Sequence, residues 1–319
     1  LLSVLDERHT GATVYLDEVQ ETPDWQRLVR ALLDAGRQVC VTGSNASLLG
    51  RELGAKLTGR HVSVEVNPFS YHEYLAFCEG ERGATTLKRY LEEGGFPGAL
   101  REAVAGPALL RELLRDIVQR DIVSRHNVRE TRHLMNLVLH LLAHTGQPLS
   151  LQSLAKGLAV PSAAQAARCI EHLQDAWLLL AVPRFSASFK QRVVSPPKYY
   201  TIDPGLRTAN TPNPTPDWGR RLENAILLAL RRRGMAPAYA SEIHQWECDF
   251  VTPDAAIQVC AELTPQNRAR ELRGLLSAAV LPGASGRKRE RLVLTLNQRD
   301  AFKEEGQNIT VLPAWEWLD

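Results

Sequence analysis

Two adjacent carboxylates, Asp17 and Glu18, close the apolar run at residues 12–16 in "GATVYLDEVQETPDW". A magnesium–polyphosphate site asks for such a pair. One acid at the end of a buried strand holds the metal's water shell, and a second beside it polarises the attacking water. The order assigns Asp17 to the metal and Glu18 to the water. Ordinary strand ends also carry paired acids, so the neighbours matter. One helix later, "VCVTGSNASLL" is another apolar run ending in Thr42, Ser44 and Asn45. Ser44 or Asn45 is placed there to sense a γ-phosphate. In "RELGAKLTGRH", Arg60 ends a helix and can reach a phosphate held by an adjacent subunit, with Arg51 the second choice. Turn-forming polar residues and solvated arginines would read the same way, so these assignments are expectations.

The elements that must position these groups are legible as periodicity. "ATVYL", "QVCVTG" and "HVSVEV" read as three buried strands. The amphipathic "DWQRLVRALLDAG" separates the first two, and Gly36 is placed to stop it. Strand, helix, strand with near-continuous apolar strands predicts a parallel α/β sheet covered on both faces. From 71 to 125 the pattern is helical, interrupted by Gly94-Gly95-Phe96-Pro97-Gly98. Within it "TLKRYLEEGG" reads as an ordinary exposed helix with its glycine stop.

Residues 126–200 hold a long helix, then a helix–turn–helix and the strand-like "LLLAVPRFS". Proline-rich "SPPKYYTIDPG" and "TPNPTPDW" mark surface connections. From Trp218 a second α/β unit begins with "RRLENAILLALRRRG" and continues through "ECDFVTP", "AIQVCAEL", a helix near 266–281 and "RLVLTL". The expected divisions are 1–70, 71–125, 126–200 and 201–319. The fold class is α/β plus α.

Bulk composition narrows the setting. The 319 residues are 44% hydrophobic, enough for two or three domains, and the net charge of +2 requires any basic surface to be local. Five scattered cysteines without a C-x-x-C argue against a disulfide framework or structural zinc and suggest a reducing cytosol. No apolar run is long enough to span a bilayer, and no signal peptide opens the sequence. His140 and His144 have H-x-x-x-H spacing, with His133 near the same face. Position 141 is leucine, where a hydrolytic zinc site wants glutamate.

The ordered set "VYLDEVQ…PDW…VTGSNASLL…RELGAKLTGR…EVNPFSYHEYL", continued by "YLEEGGFPGAL", "LLRDIVQRDIV", "IDPGLR" and "GRRLENAILLALRRRG", resembles a known family. It is similar to the prokaryotic AAA-type P-loop ATPases that carry a winged helix and a C-terminal restriction-endonuclease-like domain of unknown function. The resemblance spans essentially the whole sequence. It implies ATP and Mg²⁺ as cofactors, with Asp17 and Glu18 closing the Walker B strand. It also implies the later part of an ATPase core over 1–70, a helical lid over 71–125, a winged helix over 126–200, and possible homo-oligomers. The family's phosphate loop is missing: G-x-x-x-x-G-K-[ST] occurs nowhere. The sequence begins with Leu-Leu rather than Met and keeps both acids, so the expectation is an upstream loop rather than lost ATP binding.

Two further expectations follow. On the candidate recognition helix, Ala163, Ala166, Ile170, Leu173 and Trp177 form an apolar stripe, leaving Gln165, Arg168 and His172 for a DNA major groove. Arg184, Lys190, Arg192 and Lys198 lie where a wing would fold, among Phe185, Phe189 and Tyr199, as phosphate contacts. A helix–turn–helix serving only protein contacts is the alternative.

In the nuclease-like frame, Glu223 and Asp249 take the positions of two metal-holding acids. Gln258 and Cys260 stand where a glutamate and a lysine belong, so hydrolysis is expected to be lost. Basic clusters Arg231-Arg232-Arg233 and Arg287-Lys288-Arg289 read as helix capping and solubility, or as phosphate contacts. The competing overall readings are a non-catalytic DNA- or protein-binding module and, third, an active metal-dependent nuclease.

Overall fold

The computed structural model describes residues 12–19, 22–44, 61–102, 104–211, 216–282 and 288–318. Asn45, Arg51 and Arg60 lie outside the described residues.

Val14–Leu16 (β1) and Val39–Val41 (β2) pair in parallel, with Val14 opposite Val39 and Leu16 opposite Val41. Helix Trp25–Asp34 (α1) crosses between them, packing Trp25 and Val29 with Val19, Leu16, Val39 and Val41. The chain turns at Gly36 as expected.

The third expected strand is not formed. Residues 61–67 pair with no strand among the described residues, and Val62, Val64 and Val66 are 91%, 80% and 91% exposed. An alternating run becomes a strand only when another backbone satisfies its amides and carbonyls. No described strand pairs its backbone with this segment.

The helical block comprises Tyr71–Cys78 (α2), Ala84–Glu93 (α3), Pro97–Arg101 (α4), Gly106–Asp116 (α5) and a π-helical turn, Ile117–Ser124. Ser70 and Glu73 form a reciprocal capping box at the start of α2. Helix α3 is not simply an exposed helix, because Leu87, Tyr90 and Leu91 are buried on one face.

Next come Thr131–Ala143 (α6), Leu151–Gly157 (α7) and Ala163–Asp175 (α8). Ser150 and Ser162 cap α7 and α8, each accepting from the amide three residues on. Trp177 is off the apolar stripe: α8 stops at Asp175 and Trp177 has φ 58. The buried stripe is Ala166, Cys169, Ile170 and Leu173. Leu179–Val182 (β3) pairs antiparallel with Lys198–Thr201 (β4), and the connection contains helix Phe189–Val194 (α9).

The remainder is Pro204–Asn210 (α10), Trp218–Arg232 (α11), Ala238–Glu242 (β5), Trp246–Val251 (β6), Ala255–Val259 (β7), Arg268–Ala279 (α12), Glu290–Thr295 (β8), Asp300–Glu304 (β9), Gln307–Pro313 (β10) and Ala314–Trp317 (α13). The sheet order is β5-β6-β7-β8-β10-β9. Strands β5 to β7 form an antiparallel meander, α12 crosses over, and β8 lies parallel to both β7 and β10. Every residue of α11 from Arg221 to Leu230 is buried. One apolar cluster joins Tyr71 to Leu318 through this helix. No helix among the described residues is long and apolar enough to cross a membrane.

Asp203 links the helical block to this core. It caps α10 through the Leu206 amide at 2.8 Å and accepts from the Gly95 amide at 2.6 Å. Gly94 has φ 78, and a Cβ there would lie 2.1 Å from Asp203 Oδ1, so only glycine fits. The sequence strings "GGFPG" and "IDPG" are therefore two halves of one junction.

Burial pushes the Asp203 carboxyl up to about 6, against the opposing pull of the Gly95 and Leu206 amides. An acid raised on folding favours the folded state below its unfolded pKa and loses that contribution as pH rises through the folded value. Asp203 should therefore cost stability between pH 4 and 6, by about 3 kcal/mol in total. Urea midpoints measured across that window should fall less steeply in Asp203→Asn than in the parent protein.

Candidate functional site

The tips of β1 and β2 form the first candidate centre. Asp17 and Glu18 are exposed just beyond β1. Thr42, just beyond β2, donates its hydroxyl to Asp17 Oδ1 and accepts from the Glu18 amide at 3.1 Å. Its backbone continues the ladder, Thr42 N to Leu16 O at 2.9 Å and Val19 N to Thr42 O at 3.2 Å. Glu18 takes φ 47, a left-handed conformation uncommon for a side-chain-bearing residue, and the strand ends there. One hydroxyl thus fixes both members of the acid pair relative to the neighbouring strand. Ser44 Oγ reaches Asp121 Oδ1 on the π-helical turn at 3.5 Å. Asp17, Glu18 and the β2 tip are brought together as expected.

The second centre was only half visible in the sequence. Glu223 on α11 and Asp249 on β6 do converge, and what joins them is Lys198. Its Nζ lies 3.0 Å from Glu223 Oε1, 3.3 Å from Asp249 Oδ1 and 2.8 Å from Glu247 Oε1. Tyr200 OH donates to Glu223 Oε1 at 2.5 Å, and the Val259 amide donates to Asp249 Oδ2 at 2.8 Å. The Lys198 side chain is 1% exposed and those of Glu223 and Asp249 are 9% and 8%; only Glu247, at 44%, reaches solvent. Gly146 presses against the frame: a Cβ there would sit 2.9 Å from Glu223 Oε2.

Burial by itself would lower the Lys198 ammonium. The charges of Glu223, Tyr200, Asp249 and Glu247 outweigh it and hold the group well above its ordinary value. Burial and the nearby Glu223 push Asp249 well up, against the pull of Lys198. The surroundings therefore favour the charged ammonium and, at Asp249, the protonated acid.

Gln258 and Cys260 do not join this frame. Gln258 Nε2 donates to Glu271 on α12 at 2.6 Å, and its buried carbonyl oxygen has no hydrogen-bond partner among the described residues. Cys260 is buried in the apolar cluster that contains Leu272 and Leu275, and burial pushes its thiol up to about 12. Among the described residues no group of three His, Cys, Asp or Glu is arranged to hold a metal ion.

Two expectations about DNA contacts need correction. Lys198 is not a wing phosphate contact, because it is consumed inside the fold. The His172 ring stacks on His126 at 3.7 Å, and burial lowers both imidazoles below their ordinary value, giving a neutral pair packed between α8 and the segment after the π turn. Arg168, Lys190 and Arg192 remain exposed and Gln165 half-buried. His140 and His144 stack at 4.0 Å rather than diverging around a metal, and His133 pairs with Glu130.

Lys198, Tyr200 and Glu247 were not foreseen as partners of the acid frame. A signal existed in "KYYT": all four residues of β4 are buried, and a lysine in a strand covered on both faces demands a carboxylate. Removing that lysine leaves Glu223 and Asp249 buried without their cation. Lys198→Met should cost about 3–5 kcal/mol in chemical denaturation, and adding Glu223→Gln should recover part of the loss.

Comparison with known proteins matches two stretches of the chain to domain families. Residues 1–75 match the family described as an AAA domain, and residues 84–217 match a domain of unknown function (DUF8612). A protein of Methanocaldococcus jannaschii described as uncharacterized is 29% identical over 334 residues, covering 95% of this chain and 74% of that protein. One from Haemophilus influenzae, also described as uncharacterized, is 27% identical over 266 residues, covering 79% of this chain and 66% of that one. No solved structure matches the chain. The match over residues 1–75 supports an AAA-type, ATPase-like segment at the start of the chain.

Proposed function

We propose that this chain works as part of an AAA-type ATPase whose nucleotide state is transmitted to its helical and C-terminal units. The observation that carries the reading is the Thr42 hydroxyl, bonded to both Asp17 and the Glu18 amide across the tips of two parallel strands. An exposed carboxylate at a strand end is suited to a hydrated hard cation. Magnesium, when bound with a triphosphate, supplies the positive charge that the phosphates need. Asp17 would hold its water shell, Glu18 would orient the attacking water, and Thr42 would keep the two acids in register. Ser44, with Asn45 beside it in the sequence, would register the γ-phosphate. The Ser44–Asp121 contact offers a route from that position into the π-helical turn. Arg60 is assigned to a neighbouring subunit's phosphate.

The order helix–meander–helix–parallel strand, with Glu223 and Asp249 brought together, supports a restriction-endonuclease-like C-terminal fold. The capped α7–α8 pair and the β3–β4 hairpin support a winged helix. In our reading that nuclease-like frame is a structural derivative, with an ammonium standing among acids that would otherwise face a divalent cation.

The protein to assay is the full natural gene product. Glu18→Gln should lower magnesium-dependent ATP hydrolysis by about 100-fold or more while nucleotide binding persists. An unchanged rate would remove Glu18 from the mechanism, and absent hydrolysis would leave the non-catalytic binding module as the better reading.

A further inference from the structure

Arginines that lie far apart in sequence converge on one cavity. It has a volume of about 500 Å³, within the roughly 300–1,000 Å³ typical of ligand sites. Arg184 and Arg192 come from the β3–β4 connection, Arg231 from the end of α11, and Arg289 from the start of β8. Among the described residues that line it there is no aspartate or glutamate.

The four cations have different duties. Arg289 is buried, and it donates through each of its three nitrogens to the carbonyls of Thr252, Leu281 and Pro282, so its charge is fixed in the wall. Its guanidinium lies 5.8 Å from the centre of the Phe185 ring. Arg184 spends one nitrogen on the Ser241 carbonyl. Arg231 meets Glu65 at 3.3 Å, outside the cavity lining. Arg192 is exposed on α9.

Among the described residues the lining holds four guanidinium groups and no acid, with Glu65 beside Arg231 just outside it, so the concave surface carries an excess of positive charge that an anion relieves. Guanidinium forks suit phosphate oxygens in particular. The rest of the lining is not that of a bare anion site, because Phe185 and Met235 add flat or pliable apolar surface. A phosphate joined to a planar, largely apolar ring system satisfies both halves.

We propose that this cavity binds a phosphorylated nucleotide unit, held by Arg184, Arg192 and Arg231 at its phosphate and by Phe185 and Met235 at its base. The unit can belong to a nucleic-acid strand or be a free mononucleotide. The site is separate from Asp17 and Glu18 and does not depend on their proposed role.

Binding is measured on the whole chain in EDTA, where a magnesium-triphosphate site is not read. The probes are a 5′-phosphorylated single-stranded oligonucleotide, a nucleoside monophosphate and inorganic phosphate. The oligonucleotide should bind, with affinity falling as salt rises. Arg192→Ala and Arg231→Ala should each weaken it about ten-fold and reduce the salt slope by about one. Arg273→Ala, an exposed arginine on α12 away from the lining, serves as the charge-matched control and should have no effect. Monophosphate binding with the same arginine dependence, without strand binding, would identify the free nucleotide as the source. The proposal is overturned if neither nucleotide probe binds, if inorganic phosphate binds as tightly as both, or if Arg273→Ala weakens binding as much as the lining variants. Circular dichroism of each variant establishes that it folds.

Discussion

One ammonium serves three carboxylates within the fold, and much else is arranged around that fact. Lys198 belongs to the β3–β4 hairpin, whereas Glu223, Glu247 and Asp249 belong to α11 and β6. Bringing these charges out of water is costly, and the attraction repays it only while the geometry is held. The holding is done by Tyr200, the Val259 amide and the close approach of Gly146. A hairpin that supplies the counter-ion for another unit's core cannot swing away without stranding charge on both sides. The pairing therefore favours one arrangement of the hairpin on the sheet. Asp203 performs the same office between the helical block and α10 by accepting amides from both.

The sequence was most informative where local rules and burial agreed. Strand, helix, strand was readable at the start because the apolar runs are short and Gly36 stands at the turn. Ser150 and Ser162 announce α7 and α8 by their positions just ahead of apolar periodicity. It was least informative where the answer lies in a distant partner. The alternation in "HVSVEV" is as clean as that of any strand in the molecule, yet no described strand pairs with it to complete a ladder. Trp177 fell on the stripe by arithmetic, but helical spacing means nothing two residues past the helix end.

The acid frame shows the same division. Position along the chain suggested that Glu223 and Asp249 would meet, and they do. The substitutions at Gln258 and Cys260 suggested an incomplete frame, and those two side chains instead face α12. What could not be read was the supply of positive charge from a hairpin some 25 residues before Glu223. A lysine in a proline-flanked segment looks solvent-exposed by composition. Only the burial of β4 on both sides reveals that it has nowhere to go except toward a carboxylate.

The same contrast explains how the basic residues divide. Lys198 and Arg289 are both buried cations, but their hydrogen-bonding needs are met by different means. Lys198 is ringed by carboxylates, so its positive charge is more than offset on the spot. Arg289 is satisfied by three backbone carbonyls, which accept hydrogen bonds without removing the unit charge. A charge satisfied in that way still projects into the adjacent space. Placed beside Arg184, Arg192 and Arg231, it adds to the attraction of the cavity wall for anions. Net charge over the whole molecule conceals this, since +2 is a sum over surfaces that differ sharply in sign. What distinguishes the two lysine- and arginine-bearing interiors is whether the partner is an ion or a dipole, and only the second leaves a positive field for a ligand to answer.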